Sequence, residues 1–149
     1  MNGSSINSSG MKSTVINDIT QFMLNDAGVS VCWLYGSRAK GNHSETSDYD
    51  LAVAFEYEDH ADVAPLAELR EERLQRNVLD YLLNKIPAIE LSIVDINRAP
   101  VPVAYSIISD GIVLCAKSPL RLCSEMQRVW SLWESYAYEF ERHRSSNPL

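Results

Sequence analysis

Two adjacent strand-forming segments constrain most strongly how this 149-residue chain can fold. The first, Val29–Tyr35, is a continuous apolar and aromatic run, which predicts a buried strand. The second, residues 48–55, alternates in character, so that Asp48 and Asp50 share one face of a strand with two alanines, and larger apolar residues occupy the other face. The two segments therefore predict neighbouring strands, with both aspartates at the start of the second.

The loop between these strands carries the pattern G-S-x10-D-x-D, with Gly36-Ser37 at its start and Asp48 and Asp50 at its end. Aspartates two residues apart on a strand point to the same side, so both carboxylates can reach hard divalent cations. Gly36 permits close approach of the backbone to phosphate. Ser37, which opens a predicted short helix, and Arg38 supply hydrogen-bond donors for the same anion. The pattern favours a site for metal ions and a nucleotide over a plain turn between surface aspartates.

The rest of the chain predicts helices at residues 13–27, 62–85, 100–109 and 118–142, and strands at residues 89–96 and 112–116. With the two central strands, the order is α-β-β-α-β-α-β-α. This order predicts an α+β (α/β-like) fold, in which a mixed β-sheet of about four strands packs with helices. We expect residues 13–149 to form a single domain with a C-terminal helix, and residues 1–12, rich in serine and asparagine, to be a disordered tail.

Composition excludes several classes of protein. A net charge of −7, with no basic stripe, disfavours nucleic acid as the main partner. Because no apolar run approaches the roughly 20 residues that span a bilayer, we expect no membrane association. The three cysteines lack paired spacing, which is typical of a reducing, cytoplasmic compartment, and the three histidines lack the spacing of zinc ligands.

The segment LYGSRAKGNHSETSDYDLAVAF, residues 34–55, resembles the minimal nucleotidyltransferase (MNT) branch of the polymerase-beta-like nucleotidyltransferase superfamily. The similarity continues at Ile89-Glu90-Leu91 and over residues 95–100. The resemblance implies the polymerase-beta-like fold, two Mg²⁺ ions and ATP as substrate. Many small members are similar to antitoxins of HEPN/MNT toxin–antitoxin pairs, so it also implies an adenylyltransferase that adds AMP to a tyrosine of a HEPN RNase toxin.

Members of this superfamily use a third acidic residue on a neighbouring strand, and two candidates are present. Glu90 lies between apolar residues at the start of the predicted strand, as in the family, whereas Asp95 lies five residues later. In a regular strand these two side chains face opposite sides, so only one can join Asp48 and Asp50. We expect Glu90 to be the third catalytic and metal-binding carboxylate, and Asp95 to be a hydrogen-bond partner at the end of the strand.

Two other functions stay open at this point. An aminoglycoside nucleotidyltransferase would share the motif, but such enzymes generally carry a further substrate-binding domain, for which the chain has little room. A non-catalytic antitoxin would neutralise its partner by binding alone, although the intact Ser37, Asp48 and Asp50 argue against a decayed site. The aromatic residues of the last predicted helix, Trp130 to Phe140, are denser than its own core needs. Core packing explains most of them, and the alternative that some form an exposed face for a partner stays open.

Overall fold

The computed structural model describes residues 8–44, 47–56, 69–83, 85 and 89–146. Across these residues the chain forms α1 (Ser8–Asn25), β1 (Val29–Tyr35), α2 (Ser37–Lys40), β2 (Tyr49–Phe55), α3 (Arg70–Leu83), β3 (Leu91–Asp95), α4 (Val101–Asp110), β4 (Ile112–Ala116) and α5 (Pro119–Ser146). This confirms the predicted α+β fold and the order of its elements. The single-turn helix α2 falls where Ser37 was expected to open a short helix.

The four strands form one mixed sheet in the order β3-β2-β1-β4. Strand β1 is antiparallel to both β2 and β4, and β2 is parallel to β3. The C-terminal end of β1 therefore lies at the same end of the sheet as the N-terminal ends of β2 and β3. That end of the sheet collects the residues that the sequence singled out.

Helices cover both faces of the sheet and create two apolar cores. Helices α1 and α3 pack on one face, through residues such as Ile19, Val78 and Leu82. Helix α4 and the first half of α5 pack on the other face, where Trp33 and Ile107 are buried. A three-layer arrangement of this kind buries both sides of the central strands, which explains the nearly continuous apolar sequence of β1.

The alternation of β2 determines which core the aspartates face. Leu51 and Val53 are buried against α1 and α3, and Ala52 and Ala54 are buried on the side of α4 and α5. Because side chains alternate along a strand, Asp50 points to the same side as the alanines. The predicted division of this strand into two faces is thus the division that packing produces.

Several boundaries differ from those predicted. Helix α1 begins at Ser8, so that residues 8–12 belong to the helix instead of the predicted tail, and residues 1–7 lie outside the described residues. Helix α3 begins at Arg70, and the predicted start of this helix at residue 62 also lies outside them. Helix α5 continues four residues beyond the predicted end at Arg142. Within the described residues, none of the helices has the length and apolar character required to cross a membrane.

Candidate functional site

Strand pairing brings Asp48, Asp50 and Glu90 to one end and one face of the sheet. Asp50 pairs with Tyr35 of β1 on one side and with Ser92 of β3 on the other. One residue before Asp50, the Tyr49 N–H donates to the Glu90 carbonyl oxygen at 2.9 Å. This bond aligns the residues just before β2 and β3, and places the Glu90 side chain within hydrogen-bonding reach of Asp48.

Asp48 interacts with each of the other two carboxyl groups. Partial burial, and then the charge of Asp48, raise the pKa of Asp50. A hydrogen bond to Asp48, followed by its charge, raises the pKa of the exposed Glu90 carboxyl. Burial, with a smaller contribution from Asp50, raises the pKa of Tyr35. A bound cation would relieve this concentration of negative charge.

The donor set suits a magnesium ion that also takes ligands from its substrate. Within the described part of the chain, no group of three His, Cys, Asp or Glu side chains is gathered closely enough to hold an ion by itself. The carboxylates are instead neighbours in pairs, with Asp48 interacting with both Asp50 and Glu90. Mg²⁺ is usually bound by one or two carboxylates together with phosphate oxygens and water, so the residues present fit the ion.

Gly36 packs directly against one of these carboxylates. It has φ +72° and ψ −153°, a backbone conformation that is essentially restricted to glycine. A Cβ atom at this position would lie 2.5 Å from Asp50 Oδ2. Both the backbone turn and the position of the carboxylate therefore require glycine here, a coupling between the two halves of the motif that spacing alone does not reveal.

Helix α2 follows immediately and turns the chain away from β1. The N–H groups of Ala39 and Lys40 both donate to the Gly36 carbonyl oxygen at 3.2 Å, and the N–H of Asn42 donates to that of Ser37. Gly41, with φ +80°, ends the helix in the left-handed conformation. Ser37 is the first residue of this turn and follows the glycine that contacts Asp50, as expected for a phosphate-binding position, and its contact with a nucleotide stays a prediction.

Arg38 is directed toward the other end of the loop. It is only 8% exposed. Its Nε and Nη2 atoms donate to the Ser47 carbonyl oxygen at 3.1 and 2.9 Å, and Nη2 also donates to that of Ser44 at 3.4 Å. The guanidinium carbon lies 3.8 Å from the centre of the Tyr49 ring. The predicted contact of Arg38 with phosphate stays a prediction, while these bonds give the side chain a role within the loop itself.

Asp95 occupies the opposite face at the far end of β3. Its side chain is 2% exposed, lies 3.7 Å from Arg70 of α3 and accepts a hydrogen bond from the Asn97 N–H at 2.9 Å. Burial raises its pKa, and the bond from Asn97 partly offsets that effect. The structure therefore does not bring Asp95 to the carboxylate cluster, and it makes the residue a hydrogen-bond partner at the end of the strand, as expected.

Two residues of the site were not predicted. Tyr35 and Ser92 flank Asp50 on the neighbouring strands. Tyr35 is the last residue before Gly36, and Ser92 is two positions after Glu90, hence on the same face of β3. The alternation of side chains along each strand indicates which face these two residues occupy. Their position beside Asp50 could be assigned only from the order and register of the strands.

Similar solved structures support the fold. A toxin–antitoxin with AMP-PNP has a TM-score of 0.67 and 17% identity, with 88% of this chain and 96% of that chain covered. The toxin–antitoxin MntA-HepT has a TM-score of 0.62 and 15% identity, and covers 90% and 97% of the two chains. A tri-AMPylated Shewanella oneidensis HEPN toxin in complex with MNT antitoxin has a TM-score of 0.64 and 15% identity, and covers 91% and 98%.

The amino-acid sequence identifies the family of this chain more directly than the fold does. A search of curated proteins gives no significant match. Residues 17–120, however, match the family described as polymerase beta, nucleotidyltransferase. The matched region includes Gly36, both aspartates and Glu90, and extends over more than half of the chain. This chain therefore belongs to the polymerase beta nucleotidyltransferase family.

Proposed function

We propose that this chain transfers AMP from MgATP to a hydroxyl group of a protein, a tyrosine of a HEPN toxin, and thereby acts as an antitoxin. The observation that carries the proposal is the placement of Asp48, Asp50 and Glu90 on one face, beside the Gly36 turn. Similarity to solved toxin–antitoxin structures, one with AMP-PNP and one with a tri-AMPylated toxin, supports the nucleotide and the acceptor.

The residues of the site have separate tasks in this reaction. Asp48 and Asp50 would hold the metal ions, and Glu90 would complete their carboxylate shell. Gly36 and Ser37 would bring backbone N–H groups and a hydroxyl to the β- and γ-phosphates. Two bound Mg²⁺ ions would polarise the α-phosphate and neutralise the departing pyrophosphate.

The bond changes balance without another reactant. The acceptor hydroxyl oxygen forms a bond to the α-phosphorus of ATP, the bond from that phosphorus to the bridging oxygen breaks, and pyrophosphate leaves. A carboxylate must take the hydroxyl proton. We assign this task to Glu90, because its exposed carboxyl lies beside Asp48 at the same end of the sheet.

Helix α5 supplies a docking surface apart from the carboxylates. Val129 is buried, and no side chain from residue 130 to 144 is buried. Trp133 stacks on Tyr105 of α4 at 4.3 Å and on Tyr136 at 5.6 Å, and Tyr136 and Phe140 are exposed. These side chains continue the helical stripe that packs on the sheet, and exposed aromatic residues commonly anchor protein interfaces. We therefore assign this surface to the acceptor protein.

The direct test is transfer of labelled AMP. The chain is incubated with MgATP labelled at the α-phosphate and with a HEPN protein, and the mass of that protein is measured. We expect an increase by whole AMP units with wild type, and none with Asp48→Asn/Asp50→Asn, because that variant loses its principal metal ligands while the core residues of β2 are retained.

An aminoglycoside placed in the same assay distinguishes the small-molecule alternative. Label on the drug with none on the protein would overturn our proposal and favour antibiotic modification. No label on either acceptor, together with neutralisation of the toxin, would instead favour inhibition by binding alone.

A further inference from the structure

Arg38 holds the chain on both sides of Asp48. The residue before Asp48 is Ser47, whose carbonyl oxygen accepts hydrogen bonds from two nitrogen atoms of the guanidinium group. The residue after Asp48 is Tyr49, whose ring lies beneath the same group at 3.8 Å. Asp48 itself is exposed and precedes the first residue of β2. Its position therefore depends on how its two neighbours are held.

Ser44 and Ser47, which Arg38 contacts, are also hydrogen-bonded to each other. The Ser44 N–H donates to Ser47 Oγ at 2.9 Å, and the Ser47 N–H donates to the Ser44 carbonyl oxygen at 3.2 Å. Arg38 donates to the carbonyl oxygens of both serines. A planar guanidinium group can satisfy several acceptors in a fixed geometry, which a lysine ammonium group cannot reproduce. The arginine thus joins helix α2, which follows β1, to Ser44 and Ser47, which precede β2.

We infer that Arg38 is a positioning residue that fixes the backbone at Asp48 and thereby sets the affinity of the carboxylate pair for divalent cations. The inference rests on the proposed function, since it treats Asp48 and Asp50 as metal ligands. It also assigns Arg38 a task that differs from direct binding of phosphate. Groups that orient metal ligands typically change metal affinity 10- to 100-fold when they are replaced.

Because Arg38 is positively charged, a role in positioning and a purely electrostatic effect predict opposite changes in cation affinity when it is replaced. Removal of a positive charge near a cation site should strengthen cation binding if electrostatics alone operates. Loss of positioning should weaken it. Arg38→Gln therefore separates the two effects by the direction of the change, and Arg38→Lys, which keeps the charge but loses the planar donor set, should weaken binding with no electrostatic reason to do so.

The experiment is calorimetric titration of the full chain with MnCl₂, without nucleotide, for wild type, Arg38→Lys, Arg38→Gln and Lys40→Gln. Lys40 is exposed on the same short helix and serves as the matched control for loss of a positive charge. We expect roughly 10-fold or greater weakening of Mn²⁺ binding in both Arg38 variants. Binding by Lys40→Gln should equal or slightly exceed that of wild type. Thermal melts identify a temperature at which every variant is folded, and titrations are made there.

Binding of ATP in EDTA completes the test. We expect ATP affinity without metal to change less than about twofold in Arg38→Lys, because the inferred role acts through the metal site. Wild-type Mn²⁺ affinity with weakened ATP binding would overturn the inference and make Arg38 a phosphate ligand. Unchanged affinity for both ligands, with only a lower melting temperature, would overturn it in favour of a purely structural role. Wild-type protein that binds Mn²⁺ but transfers no AMP would refute the proposed function alone, and wild type that binds no Mn²⁺ without nucleotide would overturn the inference alone.

Discussion

Replacement of Gly36 by alanine should damage the candidate site more than it damages the fold. At φ +72° and ψ −153°, a residue with a side chain adopts a conformation that costs about 1–3 kcal/mol. The added Cβ would meet Asp50 Oδ2 at 2.5 Å, so that the oxygen must retreat by about 0.9 Å to reach an ordinary contact of 3.4 Å. The variant therefore combines backbone strain with displacement of a proposed metal ligand.

Gly41→Ala is the matched control. Gly41 also has positive φ, at +80°, but an added Cβ would meet nothing within 4 Å. The left-handed conformation alone costs an alanine about 1–2 kcal/mol, and both substitutions regain about 0.4–1 kcal/mol by restricting the unfolded chain. We expect a net loss of about 2 kcal/mol for Gly36→Ala, and of about 1 kcal/mol for Gly41→Ala. For a chain of this size these losses lower the melting temperature by roughly 4–8 °C and 2–4 °C.

The two variants should differ far more in activity. A displacement of about 1 Å in a reacting constellation can reduce the rate about 100-fold, so we expect a loss of this order for Gly36→Ala and nearly wild-type transfer for Gly41→Ala. The assay is release of pyrophosphate from MgATP with the acceptor protein present, below both melting temperatures. In an Asp50→Ala background the stability cost of Gly36→Ala should fall toward that of Gly41→Ala, because the contact with the carboxylate is gone. Equal rates for the two single glycine variants would refute the reasoning.

Three further predictions concern other parts of the chain. Without metal at neutral pH, Asp48→Asn should melt above wild type. Burial, and then the charge of Asp48, raise the pKa of Asp50, so removal of that charge makes the ionised form of Asp50 less unfavourable in the folded state. The advantage should shrink as the pH falls through the raised pKa of Asp50, and melts that show no such dependence would contradict the prediction. Glu90→Gln should lower the transfer rate far more than Asp95→Asn, which should mainly lower the melting temperature. The reverse ranking in paired rate and melting measurements would identify Asp95 as the third catalytic carboxylate. Tyr136→Ser should weaken binding of the acceptor, measured by calorimetry, whereas Tyr138→Ser, on the opposite side of α5, should not. Equal effects would contradict the assignment of the docking surface to the side of α5 that carries Tyr136.

Local patterns were sufficient to predict the elements that build the site. The apolar run of β1 and the alternation of β2 have direct physical meanings, burial on both faces and division between two cores, and the structure contains both strands. The same alternation put Glu90 and Asp95 on opposite faces, and the resemblance to the family favoured Glu90 as the partner of the aspartates. The strand predictions themselves needed only the period of a strand and the knowledge of which side chains avoid water.

Contacts that depend on loop closure could not be predicted in this way. The approach of Gly36 to Asp50 and the hydrogen bonds from Arg38 to Ser47 join residues 14 and 9 positions apart through a loop with no repeating pattern. Arg38 was expected to face phosphate because its charge suits an anion, but carbonyl oxygens satisfy the same donors. The early start of α1 likewise contradicts what its serine-rich sequence indicates, since intrinsic propensity is a weak guide where the rest of the helix is well packed.

Turnover of the toxin is the measurement that tests the central claim most directly. A HEPN toxin is incubated with one-tenth of its molar amount of the chain, with and without MgATP, and its RNase activity and mass are then recorded. Because a covalent modification persists after the enzyme leaves, we expect nearly complete neutralisation and AMP-modified toxin when MgATP is present, and roughly one-tenth neutralisation or less when it is absent. Neutralisation that requires equimolar chain, is independent of ATP and leaves the mass of the toxin unchanged would contradict enzymatic transfer and show inhibition by binding alone.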